Sequence, residues 1–125
     1  MLKLEFCLTR LPALSLDEFQ TYWRKTHAPL VAAAKDALAI RRYVQVHTVD
    51  NPLASRLTDA RPGMPADDYD GIAELWWDGW DSLVDAMQTE EGARHGAILA
   101  GDEAKFIDFT RSRIFFGEEH RIIGD

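Results

Sequence analysis

The chain contains a single cysteine, Cys7, so no intrachain disulfide can staple it and packing must hold it folded. It has no Lys/Arg-rich run: 14 basic residues stand against 21 acidic ones, a net charge of −7. A surface of that sign repels phosphate, which argues against nucleic acid and anionic membrane as partners. No stretch approaches the ~18 apolar residues of a membrane span. The first residues, Met-Leu-Lys-Leu-Glu-Phe, alternate rather than forming the apolar core of a signal peptide. The Gly-x-Gly-x-x-Gly fingerprint of dinucleotide binding is missing, as are internal repeats. By exclusion, these absences predict a cytoplasmic protein in a reducing compartment.

What remains is a chain of 125 residues, 46% apolar and 10% aromatic, which is enough for one domain with a real core spanning residues 1–125. Leu2, Leu4, Phe6 and Leu8 alternate with Lys3, Glu5, Cys7 and Thr9, which predicts a first strand with one apolar face. Pro12 ends it, and Ser15 with Glu18 forms the signature of a capping box. Leu16, Phe19, Trp23, His27 and Leu30 then fall on one helical stripe, with a kink expected at Pro29 and a second helical stretch over 29–37. A second strand is predicted at 40–48, a third at 71–77, a helix after Asp78 with Trp80, Leu83, Val84 and Met87 as its stripe, a further helical piece at 90–100, and a last strand at 110–116. Residues 50–69, with Pro52, Pro62, Gly63 and Pro65, predict a long irregular loop.

The order β-α-β-β-α-β is the split βαβ pattern. It predicts an α+β, ferredoxin-like domain whose four-stranded antiparallel sheet carries helices on one face. Tyr43, Gln45 and His47 share one face of the second strand by period-two alternation. They are assigned here, with Glu74 and Trp76, to the sheet face without helices. That mixture suits a partner sheet enclosing a pocket, and so a homodimer.

Several blocks carry a resemblance. Residues 19–30, FQTYWRKTHAPL, resemble the "F…YW…HAPL" signature of EthD-type proteins, and Arg42–His47 resembles that family's "RYVQ.H" strand. Residues 69–77 resemble "YDG.AE.WF", and Asp102–Asp108 with Arg111–Phe115 resembles "DE..F.D" followed by "SR..F". The resemblance covers nearly the whole chain. It implies a dimeric α/β barrel, a fold shared by muconolactone-type isomerases, polyketide dehydratases and cyclases, cofactor-free oxygenases and haem proteins.

Within this frame His27 is the first candidate for catalysis, because an imidazole gives or takes a proton near neutrality. The competing reading is a structural histidine on an apolar helix face. Glu74, between Ile72 and Trp76, is the second acid/base candidate, unless Arg41 or Arg113 pairs with it. Tyr43, Gln45 and His47 are assigned to substrate hydrogen bonding and Trp76 to stacking on a flat ligand. His27, His47 and Glu74 are residue types of a two-histidine, one-carboxylate metal site, but their spacing offers no local chelate, and no metal or other cofactor is expected. Asp102 and Asp108 read as caps. The function expected is a cofactor-independent acid/base enzyme, an isomerase, dehydratase or other lyase, acting on a small hydrophobic carbonyl, lactone or aromatic-like metabolite. The alternatives are a non-catalytic ligand-binding barrel and an oxidoreductase or accessory protein of an oxygenase pathway.

Overall fold

The computed structural model describes every residue except Ala66. β1 (Leu2–Leu8) is followed by α1 (Leu16–Tyr22), a π-helical turn (Trp23–His27) and α2 (Ala28–Ala33). β2 (Arg42–His47), α3 (Ala54–Asp59) and β3 (Gly71–Trp77) come next, then α4 (Trp80–Gln88), α5 (Glu90–Glu103) and β4 (Arg113–Glu118). The sheet order is β2-β3-β1-β4 with every neighbour antiparallel, which is the ferredoxin-like arrangement expected. Each helical crossover skips one strand position, so β3 inserts between β1 and β2.

The alternation in β1 sends Leu2, Leu4, Phe6 and Leu8 under the helices. Two core clusters result. One gathers Leu2, Val31, Leu38, Ile40, Trp77 and Leu83; the other gathers Leu8, Phe19, Trp23, Ala73, Phe106 and Ile107. Tyr43 and Leu75 pack against both and join them. Phe19 and Phe106 are fully buried, 5.6 Å apart between ring centroids, so truncating either removes roughly 3–5 kcal/mol.

Local chemistry explains most element boundaries. Ser15 caps α1: its hydroxyl accepts from the Glu18 N–H at 3.0 Å while the Glu18 carboxylate accepts from the Ser15 N–H at 2.9 Å. The chain widens into the π turn just before Pro29. There the Ala28 N–H reaches back to the Trp23 carbonyl, and Pro29 sits in the first turn of α2, where a missing donor does no harm. Residues 50–69 are not wholly irregular, since they contain the exposed helix α3. Gly79, not Asp78, caps α4, and Asp78 pairs with Arg41 at 3.5 Å. On α4 the buried positions are Leu83 and Ala86. Trp80, Val84 and Met87 face outward, with Trp80 tilted against Phe116 at 4.7 Å.

One assignment is reversed. Tyr43 lies opposite Leu75, Gln45 opposite Ala73 and His47 opposite Gly71, and those β3 positions face the helices. The polar residues of β2 therefore lie beneath the helices, while Val44 and Val46 occupy the open face beside Glu74 and Ile72. The reason is that Trp23 and the π turn offer both a stacking surface and a carbonyl to this side of β2. Glu74 and Trp76 keep their expected place on the open face.

Candidate functional site

The π turn sets the geometry. It carries His27 inward to 4% exposure, against the Phe106 ring at 5.0 Å. The His27 Nδ1 meets Asp102 Oδ2 at 2.8 Å, and the Tyr22 hydroxyl donates to Asp102 Oδ1 at 2.6 Å. Asp102 is itself buried on α5, with the Lys105 ammonium 3.9 Å away as a nearby cation. Burial pushes the Asp102 carboxyl up, but the bonds from Tyr22 and His27 and the nearby positive charge together outweigh it and hold it below its ordinary value. The same carboxylate pushes the Tyr22 phenol up to about 12, with burial adding to it. Burial lowers the His27 value, and the Asp102 contact only partly offsets it. That shift favours the neutral form of the imidazole. Its Nδ1–H donates to Asp102, and Nε2 is left with a free lone pair.

His27 borders a cavity of about 50 Å³ between the helices and the sheet, whose walls include Phe6, Leu8, Ala73 and Leu75 and whose polar groups are His27, Tyr43 and Glu103. Such a volume holds a group of a few heavy atoms, since one water needs roughly 10–15 Å³ on the same measure.

Behind Tyr43 runs a directional hydrogen-bond ladder. The Gln45 Nε2 donates to the Trp23 carbonyl at 3.1 Å and to the Tyr43 hydroxyl at 2.7 Å. A carbonyl cannot donate, so the Gln45 amide has only this orientation, and its Oε1 must face His47 Nε2 at 2.7 Å. His47 therefore carries its proton on Nε2. Tyr43, having accepted from Gln45, keeps its own O–H free to donate into the cavity. Burial raises the Tyr43 phenol and keeps it protonated, and burial lowers His47. The Trp23 indole stacks on His47 at 4.5 Å, a close approach that is possible because Gly71, opposite His47, has no Cβ.

The sequence-predicted residues separate into two places. His27, Tyr43, Gln45 and His47 gather between sheet and helices. Glu74 and Trp76 lie across the sheet. Glu74 pairs with Lys3 at 2.7 Å rather than with Arg41 or Arg113, and Lys3 also bridges to Glu5 at 2.9 Å, which offsets the repulsion between two carboxylates directly opposite each other. Trp76 is sandwiched between Lys3 and Arg42, at 4.5 and 4.6 Å, and its indole N–H donates to Glu119. With Glu74 across the sheet, it does not join His27 and His47 in a metal site, and no other three His, Cys, Asp or Glu side chains converge among the described residues.

Asp102, Tyr22 and Glu103 were missed by the sequence reading. Asp102 lies in the last turn of α5, but its carboxylate is engaged by Tyr22 and His27 rather than capping a helix; only Asp108 keeps that role, accepting from the Thr110 N–H at 3.1 Å. The available signal was the helical spacing of Leu99, Asp102, Glu103 and Phe106, which turns both carboxylates toward the sheet.

The chain is 31% identical over 117 residues to the conidial pigment biosynthesis dehydratase EthD of Metarhizium robertsii, spanning 89% of this chain and 80% of that one. It is 27% identical over 124 residues to the decarboxylase AgnL1 of Paecilomyces divaricatus, spanning 98% of this chain and 80% of that one. The crystal structure of an EthD family protein from Bacillus halodurans superposes with a TM-score of 0.62 at 25% identity, covering 96% of this chain and 99% of the other. The EthD domain model matches residues 11–110, a span that includes the π turn with His27, the Tyr43–Gln45–His47 ladder and both α5 carboxylates, and the chain belongs to the EthD domain family.

Proposed function

We propose that this protein is a cofactor-independent lyase that removes water from a small, largely apolar hydroxy-carbonyl metabolite of the aromatic-polyketide kind. The observation that carries the reading is the buried His27–Asp102 contact of 2.8 Å on the wall of an apolar cavity that Tyr43 also lines. Asp102 fixes the His27 tautomer, so Nε2 is the base. The Tyr43 hydroxyl, aligned by Gln45 and His47, is a donor for the substrate carbonyl as it acquires negative charge. Proton abstraction next to a carbonyl needs this pair, a neutral base and an oxyanion donor in a site that excludes water. The dehydratase relative at 31% identity supports the reaction class. The cavity volume means that only the reacting end of the metabolite enters.

Gln45 and His47 act through Tyr43 as positioning residues, and Glu74 and Trp76, across the sheet, serve assembly rather than chemistry. Val46, beside Ile72, and Phe115, beside Glu5, are about half exposed on the open face, and a second copy of the chain is the partner proposed to cover them. The functional test is water release from β-hydroxy ketones of graded size. Turnover is expected to fall by ~10²–10⁴-fold in His27→Ala with the fold intact. A fully active His27→Ala protein would contradict the proposal.

A further inference from the structure

Glu103 is the one polar wall of the cavity that the proposed reaction has not used. It follows Asp102 on α5, one helical turn after Leu99, and with Leu99 it lines the cavity opposite Phe6, Leu8 and Ala73. Its carboxyl makes no hydrogen bond or ion pair among the described residues, unlike Asp102, which has three partners. A carboxyl held against apolar walls beside a carboxylate, with no cation of its own, is stable there as the acid rather than the anion. The titratable groups that face it are Asp102 on its own helix, His27 from the π turn and Tyr43 from β2.

Resting on the dehydration reading above, we propose that Glu103 is the general acid of the site, giving its proton to the departing hydroxyl oxygen while His27 takes the proton from carbon. The step balances without a cofactor. The His27 Nε2 removes the hydrogen next to the carbonyl, and the C–H electron pair becomes an enolate whose oxygen Tyr43 holds. The enolate then expels the β-oxygen: the C–O bond breaks, a C=C bond forms, and the Glu103 proton converts the leaving hydroxide into water. The products are an enone and water. His27 is left as imidazolium and Glu103 as carboxylate, and one proton passing between them restores the starting state. Burial, with the Asp102 charge beside it, pushes the Glu103 carboxyl up to about 7, which suits an acid that must both give and regain its proton near neutrality. Both an acid and a base then line one cavity, which separates a dehydratase from a simple enolising enzyme.

The test uses the 125-residue chain, its Glu103→Gln and His27→Ala variants, and two probes: 4-hydroxy-2-butanone and 4-acetoxy-2-butanone, which differ only in the leaving group. Acetate leaves without help from an acid; hydroxide does not. Glu103→Gln is expected to lose ~10²–10⁴-fold on the hydroxy ketone while keeping activity on the acetoxy ketone within about tenfold, and to keep deuterium exchange at the carbon next to the carbonyl. His27→Ala is expected to lose both reactions and the exchange. Equal losses on both probes in Glu103→Gln, or none on the hydroxy ketone, would overturn the role of Glu103 and leave that of His27 standing. If His27→Ala retains turnover, or if the wild-type protein turns over neither probe, the lyase reading itself fails for this substrate class. The titration of the His27 imidazole nitrogens then decides whether Glu103 is an acid facing the base. A step near pH 7 in the wild type that vanishes in Glu103→Gln supports it, and the same profile in both proteins overturns it.

Discussion

Replacing Gly71 with alanine tests how tightly the site is assembled, because one methyl group is added at its most crowded point. A Cβ at Gly71 would lie 2.7 Å from the Val46 carbonyl oxygen and within 2.8 Å of the Trp23 ring. Neither neighbour can yield easily. The Val46 carbonyl belongs to the β2–β3 pair, whose backbone is held by the register. The Trp23 ring is 1% exposed and fixed between Phe19 at 5.6 Å and His47 at 4.5 Å. Overpacking of this kind typically destabilises by about 1–3 kcal/mol, and two rigid obstacles place Gly71→Ala at the upper end. For a domain of this size about 3 kcal/mol corresponds to a drop in Tm of roughly 10 °C. Urea unfolding followed by tryptophan fluorescence measures it. The obstruction is the six-membered part of the indole, so Trp23→Phe in the same chain should recover part of the loss, a coupling visible in a double-mutant cycle. Gly71→Ala with stability within about 0.5 kcal/mol of wild type would refute the claim that Trp23 packs directly onto the backbone at this position.

Three further outcomes follow from the same geometry. Light scattering at micromolar concentration should find a dimer, and a charge at Phe115 or Val46 on the open face (Phe115→Lys, Val46→Asp) should shift it toward monomer; a stable wild-type monomer would contradict the assembly proposed. The Glu103 carboxyl, raised from 4.5 to about 7, makes the native state bind its proton more tightly than the unfolded chain does, so its contribution is complete below about pH 4.5 and is lost as pH rises through 7; the change is on the order of 3 kcal/mol, and Glu103→Gln should remove it from urea unfolding measured between pH 5 and 8. His27 has the opposite sign. Its value lies below the ordinary 6.5, so its contribution is present above that pH and lost as pH falls through and below it, and a His27→Gln protein should show a flatter decline between pH 6.5 and 5.

Much of the fold could be read before the structure, and the reason is local. The alternation in β1 and the capping box at Ser15 are decided by residues within a few positions of one another, and both are present as expected. The faces of β2 illustrate the limit. Period two establishes that Tyr43, Gln45 and His47 share a side, but it does not say which side, and polarity pointed to the open one. The structure reverses this because the Trp23 carbonyl and ring satisfy Gln45 and His47 from within, a partnership across more than twenty residues that no local pattern carries. Asp102 is the same case at greater range. It lies 75 residues from His27, and an aspartate near a helix end reads as a cap until the fold brings it under the π turn. His27 itself was legible as a candidate. What makes it a base, the carboxylate behind it and the cavity before it, was not. Glu74 looked like a second acid/base group in sequence because apolar Ile72 and Trp76 flank it, yet its strand position places it on the other side of the sheet with Lys3.

As proposed, His27 is neutral at pH 7, carries its proton on Nδ1 toward Asp102, and turns an unprotonated Nε2 to the cavity. Nitrogen-15 correlation spectra of the imidazole side chains, recorded against pH and assigned with His27→Gln, measure this directly. His27 is expected to show a protonated, pyrrole-like Nδ1 and an unprotonated, pyridine-like Nε2 at pH 7, with protonation only below the ordinary value of 6.5 and a loss of the tautomer preference in Asp102→Asn. A His27 that is protonated at both nitrogens at pH 7, or that carries its proton on Nε2, would contradict it.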